Sequence, residues 1–435
     1  MDFLLFLLVN ATLFLRPGEI VPDLEGLPIY NYTIIAALIV AAPKIAEHLR
    51  PDRLRNEPVT VCVLGLVPAV MLSHLSHFDT FSARYKTWEF SKTVMYYLVL
   101  IAVVNSTKRL RAFVYTVAIF AGLNAILAVL HYYEIIEVHS LTVLQEAAID
   151  DETGEVETTP RLRATGLFND PNDLAMMAVF GIVVSAFGLF DRRLGLYRIA
   201  WSGPLALFFL TLVLTKSRGG LMALATAGAT LSYFRCGFWK TLAAAAVLLP
   251  ALALIGGRQT DLGGAMSGGT GHSRIELWSD GLVAMKSSPL FGIGYGEYAE
   301  QCGLVAHNSF VHAFVELGLL GGALFLGAFW FAGLSLWKLS RQALFRQATS
   351  VMYRNLLPCV IGALLGSAVS EFSLSRCYVV PTYLVFGMAT AYGSESRRQG
   401  LPAILPATPQ RFAQLALLSV VFLAGIYSVI KLGIR

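Results

Sequence analysis

Apolar residues run through this chain in long blocks separated by short polar connections. The blocks fall at 3 to 16, 29 to 43, 58 to 76, 91 to 105, 113 to 132, 171 to 190, 199 to 215, 219 to 234, 239 to 256, 309 to 336, 355 to 373, 378 to 393 and 412 to 430. A helix needs about 20 apolar residues to cross a hydrocarbon core of roughly 30 Å, and most of these runs approach that length. The pattern predicts an all-α fold, a polytopic transmembrane helical bundle of about 12 to 13 spans, with residues 1–435 forming a single transmembrane domain. Phe3 to Leu15 is followed by Arg16-Pro17-Gly18-Glu19 and no small-residue cleavage site, so it reads as a retained first span rather than a signal peptide. No repeat of 20 to 50 residues is visible, and the one biased tract is the Gly-rich stretch from Gly263 to Gly271.

The polar connections set the orientation. With the N-terminus in the cytoplasm, the connections at 43–57, 106–112, 191–198, 235–240, 336–354 and 394–411 lie inside, and they hold 19 of the 33 Lys and Arg. The opposite face receives two long loops, 133–170 and 257–308, the first with nine Asp or Glu. Loops carry chemistry, so the functional surface is expected on that outer, extracytoplasmic side, in two loops containing short interfacial helices.

Composition narrows the class. Of 435 residues 56% are apolar and 14% charged, with a mean hydropathy of +0.64, which leaves little sequence for a water-exposed domain. The net charge of +5 is mostly topogenic, so nucleic acid is not an expected partner. The five cysteines are scattered without a CxxC pair, and no metal or cofactor is expected.

Four stretches carry candidate chemistry. In the first, Arg161-Leu-Arg163-Ala-Thr-Gly166-Leu-Phe-Asn169-Asp170-Pro171-Asn172-Asp173 closes the acidic loop. Asn-Asp-Pro is helix-start chemistry. The two arginines upstream sit beside a helix N-terminus that itself favours anions, which suits substrate contact by Arg163 and Arg161. In the second, Thr215-Lys216-Ser217-Arg218-Gly219-Gly220, two cations occupy a tight outer corner against the positive-inside bias. Snorkelling to headgroups explains Lys216; Arg218 pointing into the bundle would be functional.

The third stretch is Gly271-His272-Ser273-Arg274-Ile-Glu276-Leu-Trp278, followed by Pro289-Leu-Phe-Gly292-Ile-Gly294-Tyr295-Gly296. Ile275, Trp278 and Leu282 have helical spacing, predicting an amphipathic helix over 273–286 at the outer interface, with Ser273 as N-cap and Arg274 in its first turn. A cation there opposes the helix dipole, so Arg274 is expected to have an anionic partner. The three glycines read as a close-packed turn, not a dinucleotide site. In the fourth, His307-Asn308-Ser309-Phe-Val-His312-Ala-Phe-Val-Glu316-Leu-Gly318, His312 and Glu316 share a helix face and read as hydrogen-bond partners. His307, at the interface, can change protonation near neutral pH. Arg16 with Glu19, the Arg84, Lys86, Trp88 and Glu89 group, and Glu371 with Arg376 read as anchors or local ion pairs.

Taken in order, Arg163 through Asn172, Ser217-Arg218-Gly219, Arg274 through Trp278 with the Pro289–Gly296 turn, and His307-Asn308-Ser309 through Gly318 resemble the O-antigen ligase and polymerase family. These are polytopic glycosyltransferases of polysaccharide and lipopolysaccharide biosynthesis that use polyprenyl (undecaprenyl) diphosphate-linked glycans. The resemblance implies that Arg218 and Arg274 engage the diphosphate and that His307 takes part in transfer. It implies an inverting, metal-independent reaction with no cofactor. Arg163, Arg161, Asn172, Asn308 and Lys216 are then candidates for substrate contact, and the acceptor is a lipid core, a growing glycan or a protein hydroxyl. Family members have twelve spans with both ends inside, whereas thirteen runs put the C-terminus outside, unless two short N-terminal runs form one unit. The rival from another class is a transporter or flippase for a lipid-linked or anionic solute, for which repeats and broken midplane helices are expected.

Overall fold

The computed structural model describes residues 1–149, 156–255, 270–342, 345, 349–401 and 405–433. Every predicted apolar run coincides with a helix to within a few residues at its ends, except that 91 to 105 is the second half of a longer one. The helices are α1 (Asp2–Leu15), α2 (Ile29–His48), α3 (Pro58–Leu75), α4 (Thr80–Val103), α5 (Thr107–Tyr132), α6 (Pro171–Phe190), α7 (Ser202–Thr215), α8 (Arg218–Cys236) and α9 (Phe238–Ile255). They continue with α10 (Thr270–Met285), the short α11 (Tyr298–Cys302), α12 (Ser309–Arg341), α13 (Val351–Glu371), α14 (Val380–Arg398) and α15 (Pro409–Gly433). Among the described residues, nine helical segments are long and apolar enough to cross a membrane. The chain is an all-α multi-pass membrane protein.

Chain contacts divide it into two compact units. The first takes in residues 1–40, 108–260 and 365–370; the second, residues 41–107, 261–364 and 371–435. At the centre of the first stands α6, buried nearly all round, as a helix with no polar stripe must be. Its partners there include α7 and α8. In the second unit α12 packs on α3, and α4 lies against both α3 and α14. Phe310, Phe325, Phe329 and Phe386 form its aromatic core, with the Phe329 and Phe386 ring centres 4.6 Å apart. The outer face of α15 presents Leu417, Val420, Val421 and Leu432, apolar side chains suited to lipid.

Several local expectations change. Besides a 3-10 turn at Gly166–Phe168, the first long loop carries an antiparallel hairpin, β1 (Leu144–Ile149) with β2 (Val156–Arg161), pairing Leu144 with Arg161 and Ile149 with Val156. Its Thr158 and Thr159 suit a pleated surface. The second loop carries α10 and α11; most of the Gly263–Gly271 tract lies outside the described residues. Helix α10 starts at Thr270, so Ser273 lies inside it and Arg274 falls in the second turn, where the dipole penalty is weaker. Its apolar face, Ile275, Trp278 and Leu282, packs on a buried cluster including Tyr298, Val311, Phe314 and Ile426. Protein covers that face, which the sequence reading assigned to the membrane interface.

Helix α12 is interrupted. Gly318 has φ 64° and ψ −166°, far from helical values, so the 33-residue element is two helices joined at a break. Its cause lies outside the helix. The turn at Pro289–Gly294 lies along the break, with Leu319 and Leu320 N–H donating to the Pro289 and Leu290 carbonyls (2.9 and 3.1 Å). In return the Val315 and Glu316 carbonyls accept from Ile293 and Gly294 N–H (3.0 and 3.1 Å). The backbone groups freed by the break are thereby satisfied.

Candidate functional site

In the first unit the predicted residues meet where β2 ends, α6 begins and α7 turns into α8. Arg161 donates from Nε to the Thr215 carbonyl (2.9 Å) and from Nη2 to Asn172 Oδ1 (3.2 Å). Ser217 Oγ donates to the same Asn172 oxygen at 2.8 Å and accepts the Gly220 N–H at 3.1 Å, capping α8. Leu162 N–H reaches the Leu214 carbonyl (3.0 Å). The segments 161–162 and 172, eleven residues apart, are thus bound into one corner with 214–220, 45 residues on from Asn172 at Ser217. Asn172, read as a substrate contact, has its oxygen occupied by this lattice. Arg163 turns elsewhere, onto the carbonyl and hydroxyl of Thr142.

Lys216 closes α7 in the left-handed conformation (φ 50°), where a helix more often uses Gly. Arg218 follows at the first position of α8 and is partly exposed. A cation at a helix N-terminus opposes the dipole, so helix stability does not explain its presence there.

The loop after Arg163 is held by a residue the sequence reading set among lesser features. Glu19 Oε2 accepts the Gly166 N–H at 2.7 Å, while its other oxygen pairs with Arg16 at 2.9 Å. The i, i+3 spacing signals that ion pair. Nothing local signals its hold on Gly166, 147 residues away in sequence.

In the second unit, the segment before α12 places His307. Asn308 Oδ1 caps α12 by accepting from Phe310 and Val311 N–H (3.0 and 3.2 Å), which accounts for this residue as well as substrate contact does. His307 itself has φ 48°, a left-handed value that costs a non-glycine residue about 1–3 kcal/mol. It is partly exposed between buried Ala306 and Asn308. Such a conformation persists only when its neighbours over-determine it. Here Trp278 Nε1 donates to the Ala306 carbonyl (2.8 Å) on one side and the Asn308 cap holds the other. Arg274 lies four residues before Trp278 on α10 and so shares its face, the face that meets the His307 segment. Within the first unit Arg161 and Asn172 thus meet at the turn that carries Lys216 and Arg218, and within the second the Trp278 bond joins the segments that carry Arg274 and His307.

His312 and Glu316 are partners, Nε2 to Oε1 at 3.0 Å, and both are buried. Glu316 Oε1 also accepts the Tyr298 N–H (3.1 Å), and its carboxylate takes that of Gly296. Tyr298, which no sequence signal picks out, stacks on His312 (5.0 Å) and donates its hydroxyl to the Leu277 carbonyl (2.8 Å). Burial pushes that phenol well above its ordinary range, so it remains a donor at physiological pH. Lys86 Nζ lies 6.0 Å over the Tyr295 ring, a local contact, and Thr382 Oγ1 donates to Glu371 (2.6 Å).

Comparison with known proteins bears on residues 203–326, which match the family model of the O-antigen ligase. That segment includes Arg218, Arg274 and His307 and leaves out Arg161 and Arg163. The chain is also similar to the exopolysaccharide production protein ExoQ of Rhizobium meliloti (strain 1021), 28% identical over 190 residues. The match covers 36% of this chain and 42% of that relative, less than half of either. The resemblance to the O-antigen ligase and polymerase family thus holds on both comparisons.

Proposed function

We propose, from this likeness, that the chain is a membrane glycosyltransferase of the O-antigen ligase type. It moves an oligosaccharide or polysaccharide from a polyprenyl-diphosphate carrier to an acceptor hydroxyl, at the periplasmic face of a bacterial inner membrane. The observation that carries the reading is the span of the family match, which takes in the three residues proposed for chemistry, Arg218, Arg274 and His307.

The chemistry suits those side chains. Departure of a lipid diphosphate from the anomeric carbon builds negative charge on its oxygens. Guanidinium groups stay protonated and bind such oxygens in two-point contacts, so Arg218 and Arg274 stabilise the leaving group where water is partly excluded. A neutral His307 imidazole orients the acceptor hydroxyl or takes its proton during attack, giving an inverting, metal-independent transfer. Arg163, Arg161 and Lys216 add positive potential beside the α6 and α8 N-termini. Asn172 and Asn308 hold backbone and side chains in place around them.

The acceptor has two readings. The family model favours ligation to a lipid core, while the likeness to an exopolysaccharide production protein favours extension of a growing polymer. A transporter of lipid-linked or anionic solutes stays as the rival class, and the break at Gly318 is the feature it would use.

The test is transfer by purified protein in lipid, given a diphosphate-linked glycan and each acceptor type, with products read by mass spectrometry. Arg218→Ala, Arg274→Ala and His307→Ala should each insert normally and lose transfer by about two to three decades, on the order of 2.7–4 kcal/mol. Donor movement across vesicles without any new glycosidic product would sink the transferase reading in favour of transport.

A further inference from the structure

Within the second unit, hydrogen bonds form a closed circuit through the segments that carry Arg274 and His307. Starting on α12, the Glu316 carboxylate holds the N–H groups of Gly296 and Tyr298. The Tyr298 hydroxyl holds the Leu277 carbonyl of α10. The next residue, Trp278, holds the Ala306 carbonyl. His307 and the Asn308 cap then lead back into α12, and one turn on His312 returns to Glu316 at 3.0 Å.

Glu316 is engaged through both side chain and backbone, since its carbonyl also accepts Gly294 N–H beside the break (3.1 Å). Its side chain is 1% exposed. Burying a carboxylate among glycines at a helix break is expensive even with Oε1 paired to His312 and to the Tyr298 N–H, and apolar packing would close an ordinary turn as well. An acidic residue here fits a different demand. It gathers main-chain donors from the loop that orients α10, and so sets where α10 stands relative to the start of α12.

We propose that Glu316 is a positioning residue for transfer, fixing the distance between Arg274 and His307 through Tyr298 and Trp278. The proposal rests on the roles given to Arg274 and His307 above. Glu316 touches no substrate; it acts through its hydrogen-bonded partners, with His312 as its buttress.

The test combines kinetics with a distance that needs no activity. Glu316→Leu, inserted in membranes at normal yield, should lose about 10²-fold in kcat, the scale of an ångström of misplacement, with donor KM within about threefold. Glu316→Gln keeps a carbonyl oxygen for the Gly296 and Tyr298 donors and should recover most of that loss. Tyr298→Phe cuts the circuit at Leu277, and combined with Glu316→Leu it should add little further loss, because both open the same loop. For the distance, Asp280→Cys and Leu304→Cys, both exposed sites, carry spin labels with Cys236 and Cys302 replaced by Ser. The distribution should broaden in Glu316→Leu and stay narrow in Glu316→Gln. A normally inserted Glu316→Leu with wild-type kcat or an unchanged distance would overturn the proposal, as would a Gln variant as slow as the Leu variant. If the unaltered protein makes no product, the transferase reading fails, and the label distances alone decide whether Glu316 holds the two segments.

Discussion

At the corner joining α7 to α8, side chains do the tying. Arg161, Asn172 and Ser217 each reach across to another segment, and Asn172 Oδ1 alone receives two donors. Against the break in α12, main chain meets main chain instead, with four N–H to carbonyl bonds between 289–294 and 315–320. The difference follows from how closely the strands of chain approach. A Cβ on Gly292 would stand 2.3 Å from the Glu316 carbonyl oxygen and 2.4 Å from Gly318 N, and a Cβ on Gly318 2.4 Å from Leu290. No side chain fits between such segments, so none can mediate. Corners linked through side chains tolerate exchange of one partner, whereas backbone contact allows no added atom.

The largest expected effect is therefore at Gly292. Gly292→Ala would combine a left-handed φ of 80° with collision against backbone atoms. Backbone strain of about 1–3 kcal/mol and overpacking of a similar size should together lower stability by about 2–6 kcal/mol. Gly303 separates the two causes, for it has the same φ of 80° with nothing within 4 Å of a Cβ. Gly303→Ala should show the strain alone. Thermal unfolding of the two variants in detergent would measure the difference, and equal losses would mean that the close approach contributes nothing.

The same contrast explains what the sequence disclosed. Apolar runs located the helices because lipid and protein core impose a length that any single stretch must meet. The helix start at Asn-Asp-Pro-Asn was legible, because the capping side chain is adjacent to what it caps, whereas Asn308, a cap of the same local kind, was read only as a substrate contact. The break at Gly318 was not, because it depends on a turn about 25 residues upstream, and glycine looks alike in a helix, a turn or a break. Tyr298 escaped notice, and Glu19 was read only as the partner of Arg16, for the same reason: each acts through a partner outside its own stretch of sequence. The hairpin was missed because the acidic residues around it read only as loop. His307, Arg218 and Arg274 stood out since their charge or protonation is out of place where the hydrophobic pattern puts them.

A smaller effect is expected in the corner linked by side chains. Ser217→Ala removes the α8 cap and one of two donors to Asn172, while Arg161 keeps its bond to the same oxygen. The loss should be about 1 kcal/mol, as for other caps, and transfer should fall far less than in Arg218→Ala. A stability loss as large as that of Gly292→Ala would mean that the corner is no more tolerant than the turn.

The last prediction asks whether tying through side chains belongs to one unit or to local need. Glu57, just before α3 in the second unit, is buried and accepts from Thr60 (3.2 Å), Ser394 (2.9 Å) and Arg397, with His48 Nδ1 at 3.5 Å. Burial alone would push its carboxyl up, but the His48 bond and charge together with Arg397 outweigh that and hold it below the ordinary 4.5. A depressed folded value means that the carboxylate contributes its stability in full above pH 4.5 and loses it as pH falls through the lower folded value. Glu57→Gln should therefore melt below the wild type at pH 7, and the gap should narrow in the acid range where the wild type gives up its advantage. Melting curves from pH 7 down to the limit of reversibility would read it. Parallel curves would show that the Glu57 charge carries no stability, leaving the corner at Arg161 as the clearer case of tying by side chains.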